Sequence, residues 1–255
     1  MCGIVGYVGP QDALDVVLEG LRRLEYRGYD SAGVAVLSGG ALATAKKAGK
    51  LANLEKVLAD EPLPAATIGL GHTRWATHGG PTDANAHPHV SADGKVAVVH
   101  NGIIENFASL RGELEAAGIE FTSETDTEVV AHLLAATYRD LPTGEGRLAD
   151  AMRAVSRRLD GAFTLVATHA DEPDTLVASR RNSPLVVGIG DGEYFLGSDV
   201  AAFIGHTRHA LELGQDQVVE LHRTRGATTT DFTGALVDPT SYTVCLLYTS
   251  DAADE

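Results

Sequence analysis

The chain has 255 residues, enough for one large domain or two small ones, and its 44% hydrophobic content is ample for a core. Its 20 Lys and Arg against 35 Asp and Glu give a net charge of -15, which argues against a nucleic-acid backbone or an anionic membrane as partner. No uncharged apolar run approaches the ~18 residues of a membrane helix, no basic-then-apolar leader opens the chain, and Cys2 and Cys245 make neither a CxxC pair nor a disulfide framework, so a folded protein of the reducing cytoplasm is expected.

In chain order, Ile4, Val5, Tyr7 and Val8, punctuated by Gly6 and Gly9, predict a strand buried on both faces. Leu14, Val17, Leu18, Leu21 and Leu24 then recur at helical spacing over 12–26, with Gly28 as the stop. Apolar β-type runs follow at 33–37, 67–71 and 96–99. Helices are predicted over 105–117 before Gly118, over 126–140, and over 147–159 before Gly161; Thr125 with Glu128 reads as a capping box opening the second. Further strand-like runs occupy 162–167, 175–178, 185–189 and 218–221. Strands cluster at both ends and helices in the middle. This lacks the alternation of a doubly wound sheet and predicts an α+β protein with sheets packed face to face and flanked by helices.

The last stretch, VCLLYTSDAADE from Val244 to Glu255, follows a Pro-Thr-Ser segment and has neither helical nor alternating pattern. It resembles the translation of a transposon-type sequencing adapter. The expected organisation is therefore one domain over 2–235 and an irregular tail over 236–255, with 244–255 non-native and Cys245 without function.

An amide is a poor electrophile, and splitting it at neutral pH requires a nucleophile, a base and donors for the oxyanion. Once Met1 is removed, Cys2 carries a thiol and a free α-amine with reference pKa values near ~8.5 and ~8, so the amine can serve as base directly or through one water. Taken alone, Cys2 reads more readily as a small buried residue beside the start than as a catalytic one. Three further stretches bear on the choice. GHTRWATHG (71–79) places Arg74, Trp75, Thr77 and His78 at the end of a strand, where an arginine can grip a carboxylate or make a surface ion pair. VVHNGIIEN (98–106) offers the Asn101 amide and the Gly102 backbone N–H, the inventory of an oxyanion hole or of a turn. SETDTE (123–128) sets Asp126 in a first helical turn, as a capping carboxylate or as a clamp for an ammonium. Together they suit an amino acid with a side-chain amide. His72, His78, His87, His89 and His100 match no zinc spacing, so no metal and no cofactor are expected.

MCGIVGYVG, LEYRGYDSAG, GHTRWATHG, NAHPH, VVHNGIIEN, SETDTEVVAHLL, DGAFTLVA and GSDVAAFI, in this order, resemble the glutaminase domains of glucosamine-6-phosphate synthases, a branch of the class II glutamine amidotransferases, across roughly 2–235. The resemblance implies an N-terminal-nucleophile hydrolase fold, a four-layer αββα sandwich of two antiparallel sheets. It implies that Cys2 attacks the amide of L-glutamine to give a γ-glutamyl thioester, with Asn101 and Gly102 stabilising the oxyanion. It assigns Arg74, with Thr77 and His78, to the substrate's α-carboxylate end and Asp126 to its α-amine. Trp75 matches a residue gating ammonia, and Arg27, Tyr29 and His87 fall where the family organises the site.

In that family a further half of sugar isomerase domains binds fructose 6-phosphate and makes the homodimer, and no such half is legible in this chain. A local departure is RRNSPL (180–185), where Asn182 stands for the family's Gly and is expected in a left-handed turn. Phosphoribosylpyrophosphate amidotransferases, with the same terminal Cys but an Arg-Tyr-Ser-Thr pattern in place of Arg74-Trp75-Ala76-Thr77, are the second reading. A different N-terminal-Cys amidohydrolase with an apolar acyl pocket and a non-catalytic glutamine-binding module are the others.

Overall fold

The computed structural model describes residues 2–245. The chain runs through β1 (Gly3–Val8), α1 (Ala13–Arg23), β2 (Ser31–Ser38), β3 (Ala41–Ala48), α2 (Leu51–Asp60), β4 (Ile68–Arg74), β5 (His89–Val90) and β6 (Val96–Ile104). Three helices follow: α3 (Phe107–Ala116), α4 (Asp126–Asp140) and α5 (Arg147–Ser156). The chain then continues through β7 (Gly161–His169), β8 (Thr175–Arg181), β9 (Val186–Ile189), β10 (Tyr194–Gly197), β11 (His209–Glu212), β12 (Gln217–His222), β13 (Gly226–Asp231) and β14 (Thr240–Thr243). The strands pair antiparallel into two sheets, ordered β14-β11-β9-β10-β1-β4-β2-β3 and β13-β12-β8-β7-β6-β5.

Strand alternation explains why these segments read as unbroken apolar runs. Along β1, Val5 and Tyr7 join a cluster with Val17 and Leu21 of α1 and Leu54 of α2. Ile4 and Val8 point the other way and join Leu176 and Val219 of the opposite sheet. In β6, Val96 and Val98 meet Val130 of α4 and Met152 of α5, while Ala97 and Val99 join the inter-sheet cluster. Both sheets are thus apolar on both faces, and the layers stack as helix, sheet, sheet, helix. This is the sandwich the sequence implied.

The strand and helix runs predicted at 4–8, 12–26, 126–140 and 147–159 all form, with small changes of boundary. The first helix stops at Arg23, and a separate 3-10 turn, Glu25–Arg27, carries the chain to Gly28. At α4, Thr125 is the N-cap and its Oγ1 accepts from Glu128 N at 3.4 Å. The capping box is only half made, because the Glu128 carboxylate turns instead to the backbone and hydroxyl groups of Thr122 and Ser123. Thr125→Ala is expected to cost about 1–2 kcal/mol of stability, read as a lowered midpoint in urea.

Several elements have no sequence expectation: the short strands β5, β10, β11 and β13, and two longer ones, β3 and α2. ALATAKKA is rich in poor strand formers, yet it forms β3 because it pairs with β2 along its whole length as an edge, where lysines discourage pairing with other chains. LANLEKVLAD forms α2, burying Leu51, Leu54 and Leu58 on one side. The tail also differs from expectation: residues 240–243 are not irregular but form the opposite edge strand, β14, against β11. Thr240, Tyr242 and Thr243 suit an extended edge. The pairing reaches Val244, whose N–H donates to the Arg208 carbonyl at 2.8 Å. Beyond Val244 and the exposed Cys245, the adapter-like stretch lies outside the described residues.

Candidate active site

The site sits at one end of the sandwich, where the start of β1 and the end of β4 in one sheet approach β6 of the other. Cys2 immediately precedes β1, whose register puts Gly3 opposite Thr73 of β4. Contact here is close: a Cβ on Gly3 would lie 2.6 Å from Thr73 Oγ1, which accepts from Gly3 N. The Trp75 N–H donates to Cys2 Sγ at 3.2 Å, and Sγ lies 3.6 Å from the Trp75 carbonyl. Burial pushes the Cys2 thiol up from its ordinary range, opposed by the Trp75 hydrogen bond and the nearby Arg74 charge.

A cavity of about 330 Å³ opens at Cys2. Asn101 and Gly102 of β6 form one wall, Arg74, Trp75 and Thr77 a second, and Asp126 closes it at the first turn of α4. Asn101 bridges the two sheets: its Nδ2 donates to the Cys2 carbonyl at 3.2 Å, and its Oδ1 lies 2.8 Å from His72 Nε2. Gly102 has φ 123°, and a Cβ there would lie 2.0 Å from the Ala162 carbonyl oxygen, so only glycine fits this step of β6. Asp126 is buried; its Oδ2 accepts from Ile104 N at 2.9 Å, leaving Oδ1 only longer contacts to Thr127 Oγ1 (3.4 Å) and His100 Nδ1 (3.8 Å).

Arg74 is buried and borders the cavity, but three of its contacts are internal. Nη1 donates to the Gly80 carbonyl at 3.3 Å, and Nη2 donates to the carbonyls of His78 and Gly79. It therefore shapes the turn after β4 while keeping donors in reserve, since a guanidinium carries five N–H groups. Arg27 reaches the cavity too, donating to Asp199 Oδ2 at 2.6 Å and to Ser198 Oγ at 3.3 Å; that hydroxyl in turn accepts from Ile4 N beside the nucleophile. Trp75 is 56% exposed, so its ring covers the rim instead of filling the core.

Two of the sequence-predicted residues do not meet the others. The His78 ring packs edge-on against Phe107 at 4.8 Å and does not line the cavity, because the 78–80 turn is drawn back onto Arg74. Tyr29 is spent on scaffolding: its hydroxyl donates to Glu25 and accepts from Leu51 N, fixing the start of α2. His87 does border the cavity, stacked on His72 with centroids 4.3 Å apart. The structure adds His72, His100, Ile103, Ser183 and Pro184 to the walls. The last two come from the turn after β8, where Asn182 adopts the left-handed conformation expected of it, φ 55°. Among the described residues no group of three or more His, Cys, Asp or Glu is disposed to hold a metal, and no helix is long and apolar enough to cross a membrane.

The histidines behind the site are held neutral by burial: His72 is pushed down to about 3, His87 well below its ordinary value, and His100 downward as well. In the unfolded chain each protonates near its ordinary value of 6.5, so between about 6.5 and 3 the unfolded state binds more protons and stability decreases as the pH is lowered. The chain is expected to lose stability as pH drops from 7 to 5, by up to about 1.4 kcal/mol per pH unit for each such histidine. Urea midpoints across that range check this; a midpoint that stays level would contradict it.

Comparison with known proteins gives a consistent picture. The sequence profile described as "Glutamine amidotransferase domain" matches residues 72–205. The glutamine–fructose-6-phosphate aminotransferase (isomerizing) of Streptomyces coelicolor is 70% identical over 244 residues, covering 96% of this chain and 39% of that protein. The protein of the same name from Mycolicibacterium paratuberculosis is 64% identical over 237 residues, covering 92% of this chain and 38% of its own length. The chain thus spans about two fifths of these relatives. Among solved structures, the glutamine phosphoribosylpyrophosphate amidotransferase from B. subtilis complexed with ADP and GMP superimposes with a TM-score of 0.74 at 24% identity, over 92% of this chain and 50% of that one. A glutamine aminotransferase class-II domain protein from Silicibacter pomeroyi gives 0.57 at 19%, over 91% of this chain and 99% of its own. These two likenesses show the fold.

Proposed function

This chain belongs to the glutamine amidotransferase domain family, and from that premise we propose that it hydrolyses the side-chain amide of L-glutamine and is the ammonia-releasing part of a longer glutamine–fructose-6-phosphate aminotransferase. The observation that carries the reading is the convergence of Cys2, Asn101, Gly102, Arg74 and Asp126 on one cavity. A nucleophile, oxyanion donors, a cation and an anion are the groups that an amino acid with a side-chain amide requires.

With Met1 removed, the α-amine of Cys2 takes the thiol proton and Sγ attacks the amide carbon. The Asn101 amide and the Gly102 N–H receive the oxyanion. The proton held by the amine passes to the departing nitrogen, so ammonia leaves and a γ-glutamyl thioester remains; water then releases glutamate and restores the thiol. Arg74 grips the α-carboxylate with its remaining N–H groups, with Thr77 beside it. Asp126 Oδ1 takes the ammonium. Arg27, through Ser198, holds the start of β1, and Trp75 covers the rim through which ammonia leaves. His78 and Tyr29 keep supporting parts, in the turn after β4 and at the start of α2. In the longer protein the ammonia would pass to fructose 6-phosphate, on domains that also form the homodimer.

The test is to incubate the purified, methionine-processed chain with L-glutamine and no sugar phosphate. Glutamate and ammonia released in equal amounts would support the reading, whereas no release from folded, processed protein would overturn it.

A further inference from the structure

We propose that His72 is a positioning residue: by donating from Nε2–H to Asn101 Oδ1, it decides which end of the Asn101 carboxamide faces the nucleophile. The inference rests on the reading of Asn101 as an oxyanion donor and adds a residue that acts through it.

The argument starts from an atom that can only accept. The Cys2 carbonyl lies 3.2 Å from Asn101 Nδ2, so the amide must point its NH2 toward Cys2; the second N–H of that group is then left for the cavity. This places Oδ1 against His72 Nε2 at 2.8 Å. A carboxamide oxygen also can only accept, so Nε2 must carry the ring proton. The amide and the tautomer fix each other. With the proton on Nδ1, the amide would have to reverse, setting Oδ1 against the Cys2 carbonyl and toward the position where the oxyanion forms.

His72 is built to hold one orientation. It is fully buried on β4, with Ile4 of β1 and Gly33 of β2 as its strand partners, and its ring stacks on His87. The His87 ring is itself fixed, its Nδ1 accepting from His100 N at 3.3 Å. The His100 carbonyl is the rival acceptor for the His72 proton, but His72 Nδ1 makes no hydrogen bond. The bond that is formed is the one to Asn101.

The experiment compares His72→Met, which keeps bulk but removes the donor, with His72→Gln, whose amide nitrogen stands the same number of bonds from the backbone as Nε2. Glutamine turnover and alkylation of Cys2 by iodoacetamide are measured for both. Because alkylation at saturated carbon forms no oxyanion, it separates donor geometry from damage to the thiol. For His72→Met, kcat should fall about tenfold to a hundredfold with KM changed by less than about threefold, while the alkylation rate holds and His72→Gln recovers most of kcat. Unchanged kcat in His72→Met, or a loss of turnover matched by an equal loss of alkylation in both variants, would overturn the proposal. An independent reading comes from 15N NMR of the imidazole in the unmutated, processed chain. A proton on Nε2 is expected, and a proton on Nδ1 would overturn the proposal even if the chain failed to turn over glutamine, an outcome that would by itself sink only the glutaminase reading.

Discussion

Cys2→Ala is expected to lower glutamine hydrolysis by about a thousandfold or more while leaving the thermal midpoint within a few degrees. The half-buried thiol supports little of the core, since its contacts are to the Trp75 main chain. In the proposed mechanism it is the bond-forming atom, and without it no thioester would form. Burial pushes the thiol up, so at neutral pH it rests protonated and depends on a base. In the same proposed mechanism that base is the α-amine, which exists only after Met1 is cleaved. Protein that keeps Met1 should therefore be nearly as inactive as the alanine variant although its thiol is present, because an amide nitrogen cannot accept the proton. Mass spectrometry of the intact chain, set beside glutamate release, checks both statements. Activity that does not follow the processed fraction would mean another group acts as base.

Gly102→Ala should damage both stability and turnover. The backbone at φ 123° is strained for any residue with a Cβ, and the added methyl would overlap the Ala162 carbonyl oxygen at 2.0 Å. Relief requires β6 to move away from β7. Strain and overpacking together are expected to cost about 3 kcal/mol or more, a fall of roughly 6–12 °C in the thermal midpoint for a domain of this size. The surviving folded protein would present a displaced N–H, and kcat should drop about a hundredfold or more. Calorimetry and single-turnover kinetics on the same preparation distinguish the two effects. A variant that melts normally but fails to turn over would assign the loss to the donor alone.

Much of the site was legible because its chemistry lies at the boundaries of apolar runs. Cys2 opens a strand pattern, Arg74, Asn101 and Gly102 follow or close one, and Asp126 opens a helix announced by Thr125. What sequence spacing cannot show is the direction of a side chain leaving a turn. His78 and Tyr29 occupy plausible positions in the chain, yet the ring of one packs on Phe107 of α3 and the hydroxyl of the other is held by Glu25 and Leu51 N, partners that spacing alone does not disclose. Ser183 and Pro184 enter the wall only because the turn after β8 folds across the open end, a contact over some eighty residues from Asn101. The β3 edge was hidden for a related reason: eight residues of weak strand preference are recruited by a neighbouring strand. His72 was visible as one of several histidines, but its partner is set by the stacking of two sheets.

The Asn101 bridge has a mechanical side. It fastens β6 of one sheet to Cys2 and His72 of the other, so the gap between the sheets is the gauge to which the reacting groups are set. The packing that maintains that gauge is the inter-sheet layer built from residues such as Leu70, Val99, Leu176 and Val219, several of them far from the cavity. Trimming that layer would let the sheets settle closer or slide, and the bridge would register the shift as lost alignment well before the fold gave way. The interior of this sandwich thus serves as the fixture for its chemistry, and tolerance at the catalytic end is inherited from the filling between the plates.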